Sequence, residues 1–191
     1  EEGRTARFVG IVRDHDIRVR EPRGGLDLLL EAGLIKRNEE RNSSYDMFRR
    51  RLIFPIRDRQ GRVIGFGGRV LDDSKPKYLN SPESPIYHKG LSLYGVHASK
   101  DRCRETETVF IVEGYFDLIA LHQHGFINSV ATLGTALTAE HVRMLKRGFA
   151  KKAFLVFDSD TAGLKAAHRS IPIFMNESVD AAVVVLPKGY D

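Results

Sequence analysis

The spacing of apolar positions divides the chain into two regions of different character. In the second, short apolar runs alternate with amphipathic stretches: 109–112 then 116–124, 129–132 then 138–146, 153–157 then 162–170, and finally 181–186. Strand and helix repeated in this order predict a parallel sheet joined by right-handed crossovers, with helices on both faces. The nearly continuous apolar strings Phe154-Leu155-Val156-Phe157 and Val183-Val184-Val185-Leu186 predict strands covered on both sides. In the first region, 52–56 and 63–71 are β-rich runs around Asp58-Arg59-Gln60-Gly61, whose turn chemistry predicts an antiparallel hairpin. Upstream, 26–34 predicts a short helix stopped at Gly33, followed by a charged, Asn- and Ser-rich connector over 36–46. Residues 72–90 hold Pro76, Pro82 and Pro85 and predict an extended surface loop. Residues 1–24 show weak alternation near Phe8, end in the break Pro22-Arg23-Gly24-Gly25, and carry no assignable function. The fold class is therefore α/β: a parallel sheet with flanking helices over 108–191, preceded over 1–107 by a smaller mixed, largely antiparallel subdomain.

Composition narrows this picture in two places. The chain has 191 residues, 42% of them apolar, as in ordinary folded proteins. No apolar run approaches the roughly 20 residues that span a bilayer, and Glu1-Glu2-Gly3-Arg4 lacks a signal peptide's apolar core. A cytoplasmic location with no membrane partner is the expectation. Cys103 is the single cysteine, which excludes an intrachain disulfide and a cysteine-rich zinc site built from this chain alone. Net charge is +5, but between Arg49 and Lys77 nine Lys/Arg face three acidic residues, an excess of six that exceeds the charge of the whole chain. Such a run fits an anionic partner or a merely solvated basic face.

The candidate chemistry follows from the sheet. In open parallel α/β sheets the site lies beyond the carboxyl ends of the strands, and here those positions are acidic. Glu113 follows the first strand with Gly114 behind it, Asp158 and Asp160 follow the third, and Asp191 follows the fourth. Were the first and third strands neighbours, three carboxylates would converge, and like charges so close call for a cation between them. An all-oxygen set suits Mg²⁺ or Mn²⁺. Gly114 leaves room for a substrate to approach. The alternative for Asp158 and Asp160 is helix N-capping. Asp117 either supports the site from behind Glu113 or caps its own helix. The histidines carry little weight: His122 and His124 do not share a helix face, and His88, His141 and His168 lack companions at metal-ligand spacing. Phe66, Tyr78 and Tyr87 either stack bases or pack.

Glu113-Gly114-Tyr115-Phe116-Asp117 after one buried strand, and Asp158-Ser159-Asp160-Thr161-Ala162-Gly163 after another, resemble the TOPRIM pattern of primases, topoisomerases and certain nucleases. The strings from Phe54 to Asp58, Gly65 to Leu71, Lys77 to Glu83, Tyr87 to Gly90 and Leu93 to Gly95 narrow the resemblance to the RNA polymerase core of bacterial DnaG-type primases, from about Leu26 to Asp191. The resemblance implies an enzyme that makes short RNA primers on a single-stranded DNA template from ribonucleoside triphosphates. Glu113, Asp158 and Asp160, with Asp191 as the first aspartate of a further acidic motif, would hold one to three Mg²⁺ or Mn²⁺ ions. Lys77 and Lys89 would act at the polymerase site, beside Arg69 and Asn80, and Arg57 and Arg62 either contact the template backbone or are solvated. A zinc-binding domain, the second aspartate of the last motif, and the segments that meet the replicative helicase and single-strand-binding protein are expected outside this sequence. A chain lacking them is expected to be weakly active alone. Residues 1–24 depart from the family's pattern.

Two other functions use the same features. A TOPRIM nuclease or topoisomerase fragment would cleave DNA with the same carboxylates, although the basic segment argues against it. A non-catalytic nucleic-acid-binding scaffold has no need to concentrate repelling charges, so the acidic set argues against that reading.

Overall fold

The computed structural model describes residues 10–11, 25–148, 150–157 and 161–186. The chain forms two compact units, Glu1–Ile56 with Val63–Tyr87, and Arg57–Arg62 with His88–Asp191. Among the described residues the strands form three sheets.

The first unit contains β1 (Gly10–Ile11) and α1 (Gly25–Glu31). The chain leaves α1 through Gly33 at φ 65°, with Leu34 N–H donating to Leu29 O at 2.9 Å. That left-handed exit suits glycine, and a Cβ here would lie 2.3 Å from Pro82 Cδ. The predicted connector is instead an antiparallel ribbon of β2 (Ile35–Asn38) and β3 (Ser43–Asp46), paired from Ile35 with Asp46 to Asn38 with Ser43. Nearly all of it is exposed, so no face alternates in polarity and the sequence carries no strand signal.

The hairpin of β4 (Arg51–Arg57) and β5 (Val63–Val70) forms as predicted, its turn closed by Asp58 N–H donating to Arg62 O at 3.0 Å. It sits in a sheet of order β1-β4-β5-β6. Part of the predicted 72–90 loop is β6 (Tyr78–Asn80), antiparallel to β5 with Arg69 opposite Tyr78 and Gly67 opposite Asn80. Three residues before a proline are too few to give a pattern. Phe54 and Ile56 are fully buried, each contributing roughly 1.5 to 3 kcal/mol, and Met47, Phe48 and Ile53 form a cluster with Phe66 and Leu79.

The second unit opens with a short 3₁₀ turn, Lys89–Leu91, and α2 (Val96–Thr106), a helix that the apolar pattern does not reveal. Then follow β7 (Thr108–Val112), α3 (Tyr115–Gln123), β8 (Ser129–Ala131), α4 (Ala139–Lys146), β9 (Lys152–Phe157), α5 (Thr161–Asn176) and β10 (Asp180–Val185). The sheet is parallel with order β10-β9-β7-β8. Its core is built from Val109, Ile111, Val130, Leu145, Leu155 and Phe174. Right-handed crossovers require α3 on one face and α4 and α5 on the other. The packing agrees: α2 and α3 lie against β8, while α4 lies against α5.

Two predictions change here. Helix α5 runs past Ser170, through Pro172, because Phe174 continues its buried face. Strand β10, predicted to be buried, is an edge strand among the described residues, and none of its residues is fully covered.

Candidate active site at the sheet switch point

The strand order places β7 beside β9, and the crossovers leave these two strands toward opposite faces. That is the topological switch point, where open α/β sheets form their binding crevice. Ile111 pairs with Leu155, so Glu113 and Phe157 stand two residues beyond at the same carboxyl ends. Asp158, Asp160 and Asp191 lie outside the described residues.

Backbone bonds fix Glu113 in place. Its carbonyl accepts from Leu133 N–H at 3.0 Å and from Gly134 N–H at 3.4 Å, and Val112 O accepts from Thr132 N–H at 3.1 Å. The loop after β8 is thereby tied to the end of β7. Leu133 and Gly134 both have left-handed backbones, at φ 63° and 71°, and Thr135 Oγ1 donates to Thr132 O at 2.7 Å. Glu113 is half-buried, with Oε1 inside.

Gly114 caps α3, and its N–H donates to Asp117 Oδ2 at 2.8 Å. Asp117 thus engages the backbone directly after Glu113, and its charge is favourable in the first turn of a helix. The space at Gly114 is used locally, since a Cβ there would lie 3.0 Å from Asp117 Oδ2. Tyr115, buried, packs edge-on against Tyr94 at 4.7 Å between ring centroids.

A cavity of about 380 Å³ opens at this point, lined among others by Glu113, Thr132, Thr135, Phe157, Arg169 and Ser170. Its size is within the roughly 300 to 1,000 Å³ of small-molecule sites. Among the described residues no group of three His, Cys, Asp or Glu side chains is placed to hold a metal ion. A carboxylate oxygen turned inward at a switch point is nonetheless the hard donor that Mg²⁺ or Mn²⁺ takes.

Lys89 belongs to the same unit and is held by residues that sequence reasoning missed. Buried His141 donates from Nε2 to Lys89 O at 3.0 Å, its Nδ1 accepts from Thr138 N–H at 3.3 Å, and Thr138 Oγ1 donates to Gly90 O at 2.7 Å. Burial lowers the His141 pKa, against hydrogen bonds to the Lys89 and Ser92 backbones, and the ring is neutral. The one available signal was Thr138 and His141 at the spacing of a capping box.

Arg57 and Arg62 of this unit serve its turn. Arg57 Nη1 donates to Gly61 O at 2.6 Å and Arg62 Nε to Asp58 Oδ2 at 2.6 Å. Burial acts to raise the Asp58 pKa, but hydrogen bonds from Arg62 and Gln60 and the Arg62 charge outweigh it and leave the carboxyl below its ordinary range.

In the first unit, Arg69 lies over the Tyr78 ring with Cζ 5.4 Å from its centroid, and Asn80 is half-buried on β6. Lys77 is exposed, and its carbonyl accepts from Val70 N–H at 3.1 Å and Arg51 Nη1 at 3.3 Å. Arg51, buried at the head of the basic run, is a second residue the sequence reading missed. Tyr87 packs rather than stacks: it is fully buried beneath Gly65, and burial, then the Glu83 charge, pushes its phenol up to about 12. Phe66 packs edge-on against Phe48.

This sheet, with an acidic residue at its switch point, belongs to the Toprim-like class, and a Toprim-like family model matches residues 110–191. A second model, DNA primase catalytic core, N-terminal domain, matches residues 18–100. The DNA primase of Deinococcus radiodurans is 49% identical over 163 residues, covering 85% of this chain and 28% of that protein. The Aquifex aeolicus primase structure, with zinc-binding and RNA polymerase domains, superposes with TM-score 0.87 at 39% identity, over 96% of this chain and 46% of that one. A DnaG primase catalytic domain bound to single-stranded DNA gives TM-score 0.78 at 43% identity, over 86% of this chain and 52% of that one. The chain belongs to the bacterial DnaG-type primases, as part of their catalytic core. It spans little more than a quarter of the length of that curated relative. Membership of this family implies the use of a divalent metal.

Proposed function

We propose that this chain is the part of a primase core that synthesises short RNA primers on single-stranded DNA from ribonucleoside triphosphates. The observation that carries the reading is Glu113, anchored at the β7/β9 switch point and lining a cavity of ligand size. Glu113, Asp158 and Asp160, joined by Asp191, would hold Mg²⁺ or Mn²⁺. When bound, the metal supplies Lewis-acid polarisation and charge neutralisation at phosphoryl oxygens.

The residues of the chain orient the reactants. Glu113 is held by the loop after β8, and Asp117 fixes the backbone that follows it. Lys89, set by His141, contacts nucleotide phosphate or nucleic acid. Lys77, Arg69 and Asn80 make such contacts from the first unit, and Arg57 and Arg62, while closing their turn, lie along the template backbone. Contacts of this kind position nucleic acid without reading its sequence. The functional division falls between a basic subdomain over 1–107 and a metal-binding one over 108–191. The partners are the DNA template and nucleotides, with helicase and single-strand-binding protein engaged through other segments.

The test is incubation with end-labelled single-stranded DNA, labelled ribonucleotides and Mg²⁺ or Mn²⁺, beside Glu113→Gln. Short RNA that the variant does not make supports the reading. Metal-dependent cutting of the DNA without RNA synthesis would move the chain to the nuclease class. Silence in both channels from a longer chain, extended past Asp191, would favour a binding scaffold.

A further inference from the structure

The wall of the cavity opposite in charge to Glu113 takes no part in the proposed metal site. Helix α5 lines it with Ala166, Arg169, Ser170 and Ile173, spaced i, i+3, i+4, i+7 and so forming one stripe. Arg169 is exposed within that stripe and forms no ion pair or hydrogen bond among the described residues. Other helix arginines of this unit do not share that state. Arg102 pairs with Glu105, Arg104 with Asp101, and Arg143 with both Glu140 and Glu177.

The rest of the lining completes an asymmetric site. Ser170 Oγ donates to Ala166 O at 2.8 Å and Thr135 Oγ1 to Thr132 O, so neither hydroxyl proton is aimed at a ligand. On the loop side, among the described residues, the Gly134 and Thr135 N–H groups make only long bonds, 3.4 Å each. Cationic and amide donors on these walls match phosphate oxygens, for which a guanidinium is the most apt side chain. The carboxylate of Glu113 in the same cavity would repel an anion unless a divalent cation stood between them. A partly open cavity of about 380 Å³ has room for the polyphosphate of a nucleotide.

We propose that Arg169, with the Gly134 and Thr135 amides, binds the β- and γ-phosphates of the incoming nucleoside triphosphate and then the pyrophosphate that leaves. The inference rests on the nucleotidyl-transfer reading. In that step the 3′-oxygen bonds to the α-phosphorus and its proton passes to water. The bond from the α-phosphorus to the bridging oxygen breaks, and its electron pair departs with pyrophosphate, onto which negative charge accumulates beside Arg169. The residue thus binds both substrate and leaving group.

The experiment measures equilibrium binding of labelled ATP in Mg²⁺ to the whole chain, with inorganic pyrophosphate, AMP and a single-stranded oligonucleotide as competitors or separate ligands. Arg169→Ala is expected to weaken ATP and pyrophosphate by roughly ten-fold or more, the loss of a charge-assisted bond. AMP and oligonucleotide affinity should not move, and Arg169→Lys should recover part of the loss. Because Arg169 is exposed, its urea midpoint should match the wild type. Unchanged ATP and pyrophosphate binding in Arg169→Ala, or no ATP binding by the wild type, overturns the proposal. Lost oligonucleotide affinity with ATP binding retained also overturns it, assigning the guanidinium to the nucleic acid backbone. A wild-type chain that primes while Arg169→Ala binds ATP normally leaves the primase reading intact and removes this inference alone. A chain that binds ATP through Arg169 but makes no primer does the reverse.

Discussion

His141 illustrates how a residue of no apparent chemistry sets the position of one proposed to contact phosphate. Its ring is spent on two backbone groups, one of which is Lys89, fifty-two positions away in sequence. A charged ring would carry a proton on Nδ1, where Thr138 N–H now donates, and would be charged in a buried place. His122 is likewise lowered by burial, against its bond to Ser129 O. The sign is clear: folded pKa values below the ordinary imidazole value mean that the unfolded chain binds more protons as pH falls. Stability from these residues is present above about pH 6.5 and declines below it, by at most about 1.4 kcal/mol per pH unit for each histidine. Urea midpoints recorded from pH 7.5 to 5 should fall in the wild type and fall less steeply in His141→Gln. Equal slopes would show that His141 contributes nothing to the pH dependence. Glu113 could be read from its place after a strand, but the bonds that hold Lys89 could not, because nothing local in the sequence joins the two partners.

At the scale of elements, legibility followed the size of the buried face. Strands β7 and β9 announce themselves because Val109, Ile111, Ala153 and Leu155 are all fully buried. Helix α2 did not, since its buried positions are Val96, Ser99 and Cys103, one of them polar, within an otherwise charged stretch. The β2–β3 ribbon escaped for the opposite reason, having almost no buried face at all. Helix α5 continues past its predicted end at Ser170, and Pro172 does not stop it, because Phe174 is buried on the same face. The entry to α2 also depends on a backbone requirement. Gly95 has φ 83°, and a Cβ there would meet Leu118 Cδ2 at 2.5 Å, on a side chain that is 2% exposed and has little room to move. Gly95→Ala should therefore cost about 2 to 4 kcal/mol, combining left-handed strain with overpacking. A urea or thermal midpoint indistinguishable from wild type would show that the α2–α3 packing is looser than described.

For the molecule as a whole, charge and the parallel character of the second sheet were the two properties that sequence alone made visible, and they bear on different partners. The basic excess between Arg49 and Lys77 is spread largely over exposed residues such as Lys75 and Lys77, with Arg59 and Arg69 half-buried and Arg51 turned inward. A single-stranded oligonucleotide should bind this chain with an affinity that falls as salt rises. Lys77→Ala should flatten the log–log slope by roughly 0.7, the value for one phosphate contact on a single strand. A salt-independent affinity would contradict an electrostatic footprint. The sheet order in turn decides whether the acidic strand ends can act together. The condition left open by the sequence was adjacency of the first and third strands, and β7 and β9 are hydrogen-bonded neighbours.

We propose that Glu113 anchors a divalent-metal centre at this switch point. Titration of the chain with Mn²⁺, following the free-ion signal by electron paramagnetic resonance, tests it most directly. Bound Mn²⁺ is expected in the wild type, with an affinity roughly ten-fold or more weaker in Glu113→Gln. Identical binding curves for the two proteins would contradict it.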